Sequence, residues 1–263
     1  VVGGVSYFYG ALLIGAAGPG QADLTAASRK GWVIYMRLLI VRHAEPDYTV
    51  DSLTPKGWRE AALLADRLER EQIDAFYCSP LGRARDTAKV TLNRTGRQAQ
   101  TLEWLREFHA PVLHPNAGKV RAPWDFYPAY FAADPDFYQP DRWWQTPIMQ
   151  SGKAREAYDW VCAGLDDLLA AHGYTREGRV YRVWRANTDA IVLFCHFGVE
   201  CVLQGMIALP SSVTTVYTEE RQQGIASFRI AGFGDVSHLY QADEPPSFAG
   251  RFCETYDQMD QRH

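Results

Sequence analysis

The chain has 263 residues, with 27 Lys plus Arg against 31 Asp plus Glu and a formal net charge of −4. A mildly acidic balance disfavours a nucleic-acid binder held by a basic surface. With 47% hydrophobic and 22% charged residues, the composition also excludes a disordered, collagen-like or membrane-bundle chain. One large domain, or one domain plus a cap, fits the length better than several small ones. The five cysteines, Cys78, Cys162, Cys195, Cys201 and Cys253, are odd in number, scattered and free of any Cys-x-x-Cys pair. They argue against a disulfide framework or a zinc site and for a reducing, cytoplasmic setting.

Val1 to Ala17 carries no charge and is followed by Gly18-Pro19-Gly20. A secretory signal needs a positive region before its apolar stretch, and the first basic residue is Arg29, on the wrong side. The stretch is too short and too Gly-interrupted for a membrane span, so no membrane contact is expected. Residues 1–35 read as a leader or disordered extension, and residues 36–263 as the folded domain.

From Met36 onward, apolar runs of strand length alternate with amphipathic stretches of helix length. Leu38 to Val41 reads as a buried strand. Thr54 offers an N-cap with Pro55 at the first helical position, and Trp58, Ala61, Ala65 and Leu68 recur at helical spacing. Ile73 to Cys78 reads as the next strand, and Ser79-Pro80 repeats the cap-plus-proline signal for a helix to about Leu92. Between Phe108 and Gly152 the pattern breaks, with nine aromatics from Trp124 to Trp144. A long segment this apolar is expected to fold over the sheet edge as a cap, here residues 108–153, its rings serving mainly as cap core. Ala154 to His172 reads as a helix buried through Ala157, Val161, Leu165 and Leu168 and stopped by Gly173. Ala190 to Cys195 is a third strong strand, leading through Phe197-Gly198 into a helix ending near Leu209-Pro210. Val213 to Thr218 and Ile225 to Ile230 read as an antiparallel pair at the sheet edge. The expected fold is α/β: a three-layer α/β/α domain with a mostly parallel mixed sheet and an inserted cap.

Three strands run directly into polar groups: Arg42-His43, Ser79-Pro80-Leu81-Gly82-Arg83, and His196. Ligands of open α/β sheets bind at the carboxyl ends of strands, where helix N-termini also favour anions. Arg42 and Arg83 make such a place phosphate-like, because a guanidinium keeps its charge and grips phosphate bidentately. A histidine among fixed cations stays neutral, leaving a ring nitrogen able to attack phosphorus. Arg83 and Arg85 lie two positions apart on a helix and face different ways, so at most one points into a pocket. Glu45 and Asp47 are acidic but lack a clustered ligand set, so no metal and no cofactor are expected. His109, His114, His172, His238 and His263 default to structure or surface.

These residues resemble the histidine phosphatase superfamily, which includes phosphoglycerate-mutase-like enzymes. Leu38-Leu39-Ile40-Val41-Arg42-His43-Ala44-Glu45 is similar to its nucleophile motif, Leu53-Thr54-Pro55-Lys56-Gly57 to its following helix start and Ser79-Pro80-Leu81-Gly82-Arg83-Ala84 to its phosphate-binding helix. Leu105-Arg106-Glu107 is similar to its acid/base segment and Cys195-His196-Phe197-Gly198 to its second histidine. The resemblance implies that His43 is phosphorylated, that Arg42, Arg83 and His196 hold the phosphoryl group, and that Glu107 protonates the leaving oxygen and then activates water. The choice of Arg83 over Arg85 rests on it. The chain departs from the pattern at Ala44, where the family often has Gly, and in having no nearby Asn, which leaves one phosphate ligand unassigned. Phe108-His109 after Glu107 lacks the mutases' glycine-containing run, Phe197 precedes Gly198, and the connection from Leu209 to Val213 is short. The implied activity is metal-independent hydrolysis of a small phosphorylated substrate. The alternatives are a mutase of the same family and a non-catalytic phospho-ligand binding module.

Overall fold

A computed structural model describes residues 36–113, 118–123, 126, 128–204, 209–245 and 247. The expected leader at 1–35, His114, Trp124, Cys253 and His263 lie outside the described residues.

The elements in chain order are β1 (Arg37–Arg42), β2 (Pro46–Asp47), β3 (Ser52–Leu53), α1 (Pro55–Leu68), β4 (Ala75–Cys78), α2 (Gly82–Thr95) and β5 (Gln100–Thr101). There follow β6 (Val112–Leu113), β7 (Val120–Arg121), α3 (Pro128–Ala132), α4 (Pro147–Ser151), α5 (Ala154–Ala171), β8 (Tyr174–Glu177) and β9 (Val180–Val183). The chain continues through β10 (Ala190–Cys195), α6 (Phe197–Gln204), β11 (Val213–Gln222), β12 (Ile225–Asp235) and α7 (Ser237–Tyr240). The main sheet has the order β5-β4-β10-β1-β11-β12-β9-β8. β5, β4, β10 and β1 are parallel neighbours, whereas β11, β12, β9 and β8 join antiparallel.

Burial accounts for the central strands. All six residues of β10 are buried, as are five of six in β1, so these strands read as continuous apolar runs, as parallel strands covered on both faces do. Their side chains divide by alternation. Leu38, Ile40, Ile191 and Leu193 enter one core with Val161 and Leu165 of α5, while Leu39, Val41, Val192 and Phe194 enter another with Leu64, Leu68, Ala84 and Ala88 of α1 and α2. Two cores separated by one sheet make the three layers, and each fully buried Leu or Ile contributes roughly 1.5–3 kcal/mol. No helix among the described residues is long and apolar enough to cross a membrane.

Thr54 caps α1 as expected, its hydroxyl accepting from the Gly57 N–H, worth about 1 kcal/mol. The buried face of α1 is Gly57, Glu60, Ala61, Leu64, Ala65 and Leu68; Trp58, expected on it, is exposed. Ser79 does not cap α2: the helix starts at Gly82 with Leu81 at its N-cap, and the Ser79 hydroxyl is engaged as described below. The pair β11–β12 does not form the sheet edge. An additional hairpin, β8–β9, lies outside it, and its charged, half-exposed residues concealed it from a search for apolar runs. Arg176 Nε anchors that hairpin to α5 by donating to Asp166 Oδ2 at 2.6 Å. Between residues 108 and 153, Phe126, Phe131, Phe137 and Trp143 are buried, and Trp143 meets Tyr158 of α5 edge-on with ring centroids 5.6 Å apart.

Candidate active site

Parallel strands β1 and β10 end in register, Arg42 beside Cys195, so the residues that follow them emerge side by side. The His43 N–H donates to Cys195 O at 3.0 Å and the Ser79 N–H to Phe194 O at 2.9 Å, which carries the ladder one residue past each strand end. This places His43 and His196, far apart in the chain, with ring centroids 5.0 Å apart.

His43 is buried. Its Nδ1 lies 2.7 Å from Ala44 O. A carbonyl only accepts, so Nδ1 carries the proton and Nε2 keeps its lone pair. Arg83 Nε approaches that Nε2 at 3.3 Å as a donor. Burial, then the charges of Arg42 and Arg83, hold the His43 pKa well below the ordinary histidine value. The ring is therefore neutral at physiological pH.

His196 is likewise held well below the ordinary value by burial and by His43, Arg83, Arg42 and Arg106. Its Nε2 is hydrogen-bonded to Ser79 Oγ at 2.7 Å, and that oxygen also accepts from the Leu81 N–H at 3.2 Å. The residue expected to cap a helix instead orients an imidazole. His196 Nδ1 is buried with no hydrogen-bond partner among the described residues.

Arg42 is only 1% exposed, with its guanidinium over the Phe197 ring at 5.0 Å. Burial lowers its pKa, opposed chiefly by Glu200 and Glu107. Arg83 is buried on α2 and donates from Nη1 to Asp51 Oδ1 at 2.6 Å, while Arg85 is exposed. The other Asp51 oxygen accepts from the Gly82 N–H at 2.7 Å. Burial alone would raise the Asp51 carboxyl, but the Gly82 N–H and Arg83 outweigh it and hold its pKa below the usual range. A Cβ on Gly82 would stand 1.9 Å from Asp51 O, so only glycine permits this approach.

Glu107 joins the group through α6. Its Oε1 accepts from the Gly198 N–H at 2.7 Å and the Phe108 N–H at 3.0 Å. Burial raises its pKa despite the opposing pull of Arg83, Gly198, Arg42 and Phe108. Both helix N-termini at this edge thus hold carboxyl groups of the chain itself, Asp51 on α2 and Glu107 on α6. The N–H groups expected to meet a substrate anion orient the arginine and the acid instead.

Sequence reasoning did not single out Asp51, Thr87 or Glu60. Thr87 Oγ1 accepts from the Ala44 N–H at 3.0 Å and donates to Arg83 O at 2.8 Å, and Glu60 Oε2 accepts from the Glu45 N–H at 2.8 Å. The Ala44–Thr87 and Glu45–Glu60 contacts span 43 and 15 residues of sequence, and no local pattern marks them. Glu45 and Asp47 are engaged with Thr54 and Thr49. Among the described residues no group of three or more His, Cys, Asp or Glu side chains is arranged to hold a metal ion.

Comparison with known proteins bears on the family and the fold. An 80-residue stretch is 39% identical to a protein provisionally named phosphoserine phosphatase 2 from Hydrogenobacter thermophilus, spanning 27% of this chain and 39% of that protein. A structure described as mycobacterial hydrolase 2 superposes with a TM-score of 0.51 at 20% identity, covering 81% of this chain and 99% of the other. A phosphoglycerate mutase from Bacillus anthracis str. Sterne does so with a TM-score of 0.51 at 16% identity, covering 80% and 98%. Such identities speak to the fold alone. The model of the histidine phosphatase superfamily (branch 1) matches residues 38–177, more than half of the chain, and the protein belongs to that superfamily.

Proposed function

We propose that the chain is a metal-independent phosphomonoester hydrolase acting through phospho-His43. The observation that carries this reading is the locked tautomer: Nδ1 donates to Ala44 O, and Nε2 faces the Arg83 guanidinium with its lone pair intact. A substrate phosphoryl group displaces the Arg83 contact and takes donors from Arg42, Arg83 and His196. Nε2 attacks phosphorus, the ester P–O bond breaks with its electron pair on the leaving oxygen, and Glu107, whose hold on a proton is strengthened by burial, gives that oxygen its proton. The resulting carboxylate then takes a proton from water as the water attacks phosphorus. The P–N bond breaks, its electron pair returns to Nε2, and inorganic phosphate leaves.

His196 stabilises the charge spread over the phosphoryl oxygens. The hydrogen bond between Ser79 Oγ and His196 Nε2 orients the ring, and a proton on Nδ1, which meets no partner among the described residues, would donate to a phosphoryl oxygen. Two fixed guanidinium groups supply the positive charge that a metal supplies elsewhere. The segment 108–153 forms a cap that shapes the entry for a small substrate. The name of the Hydrogenobacter relative makes phosphoserine the first compound to test.

The test is turnover and rapid acid quench with an aryl phosphate and with phosphoserine, for wild type and His43→Ala, with and without a chelator. The expected result is an acid-labile phosphoprotein, inorganic phosphate as product, no effect of the chelator, and loss of both signals in His43→Ala. Near-wild-type turnover in His43→Ala overturns the mechanism. Return of the phosphoryl group to a second substrate hydroxyl identifies a mutase, and tight phosphate binding without turnover identifies a binding module.

A further inference from the structure

Tyr48 belongs to none of the elements that sequence reasoning placed at the site. It lies in the turn between β2 and β3, and its ring covers the Arg83 guanidinium at 5.4 Å. Its phenol is also within electrostatic range of Arg42, behind Glu200 and Glu107. Its ring therefore stands against one of the two cations that would hold a phosphoryl group, and its phenol is near enough to the other to bear on its charge. At 46% exposed, it belongs to a wall open to solvent, whereas the two histidines are sealed in.

The hairpin that carries this ring is clamped in place. Asp51, two residues before Leu53, grips Arg83 Nη1 and the Gly82 N–H, and Ser52 Oγ donates to Asp86 Oδ2 of α2 at 2.6 Å. Asp47 Oδ1 accepts from the Thr49 N–H at 2.9 Å and from Thr49 Oγ1 at 2.5 Å, tightening the turn beneath the ring. A turn held this firmly keeps the Tyr48 ring beside Arg83, so little backbone ordering is left to occur on binding.

Resting on the hydrolase reading above, we propose that Tyr48 is a substrate-binding residue. Its hydroxyl donates to a non-bridging oxygen of the substrate phosphoryl group, and its ring covers Arg83. The three equatorial oxygens of a phosphoryl group in transfer reward every positioned donor. Arg42, Arg83 and His196 approach from the strand ends and α2, and Tyr48 closes the side facing the β2–β3 hairpin. A phenol adds a donor there without adding positive charge.

The experiment compares wild type, Tyr48→Phe and Tyr48→Ala in two assays: turnover of an aryl phosphate and direct calorimetric binding of inorganic phosphate. Thermal melting controls for folding. Loss of a hydrogen bond to a charged oxygen predicts a drop of about 10- to 100-fold in kcat/KM for Tyr48→Phe. Phosphate binding should weaken by a similar factor, with a larger loss in Tyr48→Ala. If wild type turns over and Tyr48→Phe matches it within twofold in both assays, the hydroxyl has no such role and the proposal falls. A loss confined to Tyr48→Ala assigns the effect to the ring alone and also overturns it. If wild type binds phosphate without turnover while Tyr48→Phe binds it about tenfold more weakly, the binding role stands and the hydrolase reading falls. Wild type that neither binds nor turns over removes both.

Discussion

Ser79→Ala isolates the support of the second histidine. The substitution removes the 2.7 Å hydrogen bond to His196 Nε2 and leaves that nitrogen in a site with no solvent access. A buried polar atom deprived of its partner costs about 1–3 kcal/mol. If His196 bears on the transferring phosphoryl group, most of that cost appears in the transition state, where its proton must point at developing charge. At about 1.4 kcal/mol per tenfold change, kcat falls roughly 5- to 150-fold, with a smaller rise in KM. The Leu81 N–H bond to the same oxygen is lost too, so melting should fall by the equivalent of about 1 kcal/mol. A double-mutant cycle separates the two effects. In a His196→Ala background the kinetic penalty of Ser79→Ala should shrink below about twofold, because its target is gone, while the stability penalty stays. Steady-state kinetics on an aryl phosphate, with rapid-quench measurement of His43 phosphorylation, reads the difference. An unchanged kcat in the single variant, or an equal loss in both backgrounds, refutes the argument.

The pH–rate profile should be asymmetric. His43, held well below the ordinary histidine value, keeps its lone pair until the solution is far more acidic than pH 6.5, and Glu107, held above the ordinary carboxylate value, loses its proton only as pH rises past that range. Glu107→Gln should abolish the alkaline limb and cut turnover of poor leaving groups by about 10²- to 10⁴-fold; a retained limb would assign it to another group. Glu60 supplies a stability prediction, since its pKa is pushed up to about 7 by burial ahead of the influence of Glu45. A raised carboxyl contributes its full stability below its unfolded value of 4.5 and loses it as pH climbs through about 7. Glu60→Gln keeps an acceptor for the Glu45 N–H, so it should be more stable than wild type at pH 8 by on the order of 1–3 kcal/mol and show little gain near pH 4. Urea unfolding at the two pH values decides it, and equal differences at both count against the reading. Gly164→Ala places a Cβ 2.3 Å from Trp104 Cγ, so it should cost about 1–3 kcal/mol even though Ala is the better helix former by about 1 kcal/mol. It should also lower kcat, because Trp104 leads directly into Leu105-Arg106-Glu107; a raised melting temperature would count against it.

What the sequence disclosed follows from how each feature is encoded. The strands β1 and β10 and the helices α1 and α5 carry their structure locally, in apolar runs, helical spacing and the Thr54-Pro55 cap. Arg42, His43 and His196 were visible because Arg42 ends β1 and the two histidines directly follow β1 and β10, at the edge where parallel strands meet their ligands. The hairpin β8–β9 was hidden because its alternation mixes Tyr and Val with Arg and Glu, and a half-exposed pair looks like a loop. Ser79 illustrates a different limit. A Ser-Pro pair before a helical stretch signals a cap, and the signal was real, but an imidazole 117 residues away took the hydroxyl. Asp51 and Tyr48 were invisible for the same reason, since their partners on α2 lie more than 30 residues on. Local pattern encodes which elements form, while the side chains that fix the site's geometry are selected by proximity after the sheet has assembled.

The charges of the site divide their work by depth. Arg42 is sealed beneath Phe197, with Glu200 and Glu107 as its opposing charges, where low dielectric lets its field act strongly on an incoming anion. Arg83 is tethered at the rim by Asp51, whose carboxylate is partly solvated, so the anion repulsion it adds is screened by water. The same pairing fixes the guanidinium so that Nε faces His43. Without Asp51, Arg83 would keep its charge but lose its aim, and ordering it would then weigh against each binding event. A carboxylate beside an anion site looks like a fault in the electrostatics. Here its repulsion acts through solvent, whereas the alignment it gives acts at contact distance on His43 Nε2, the atom proposed to receive the phosphoryl group.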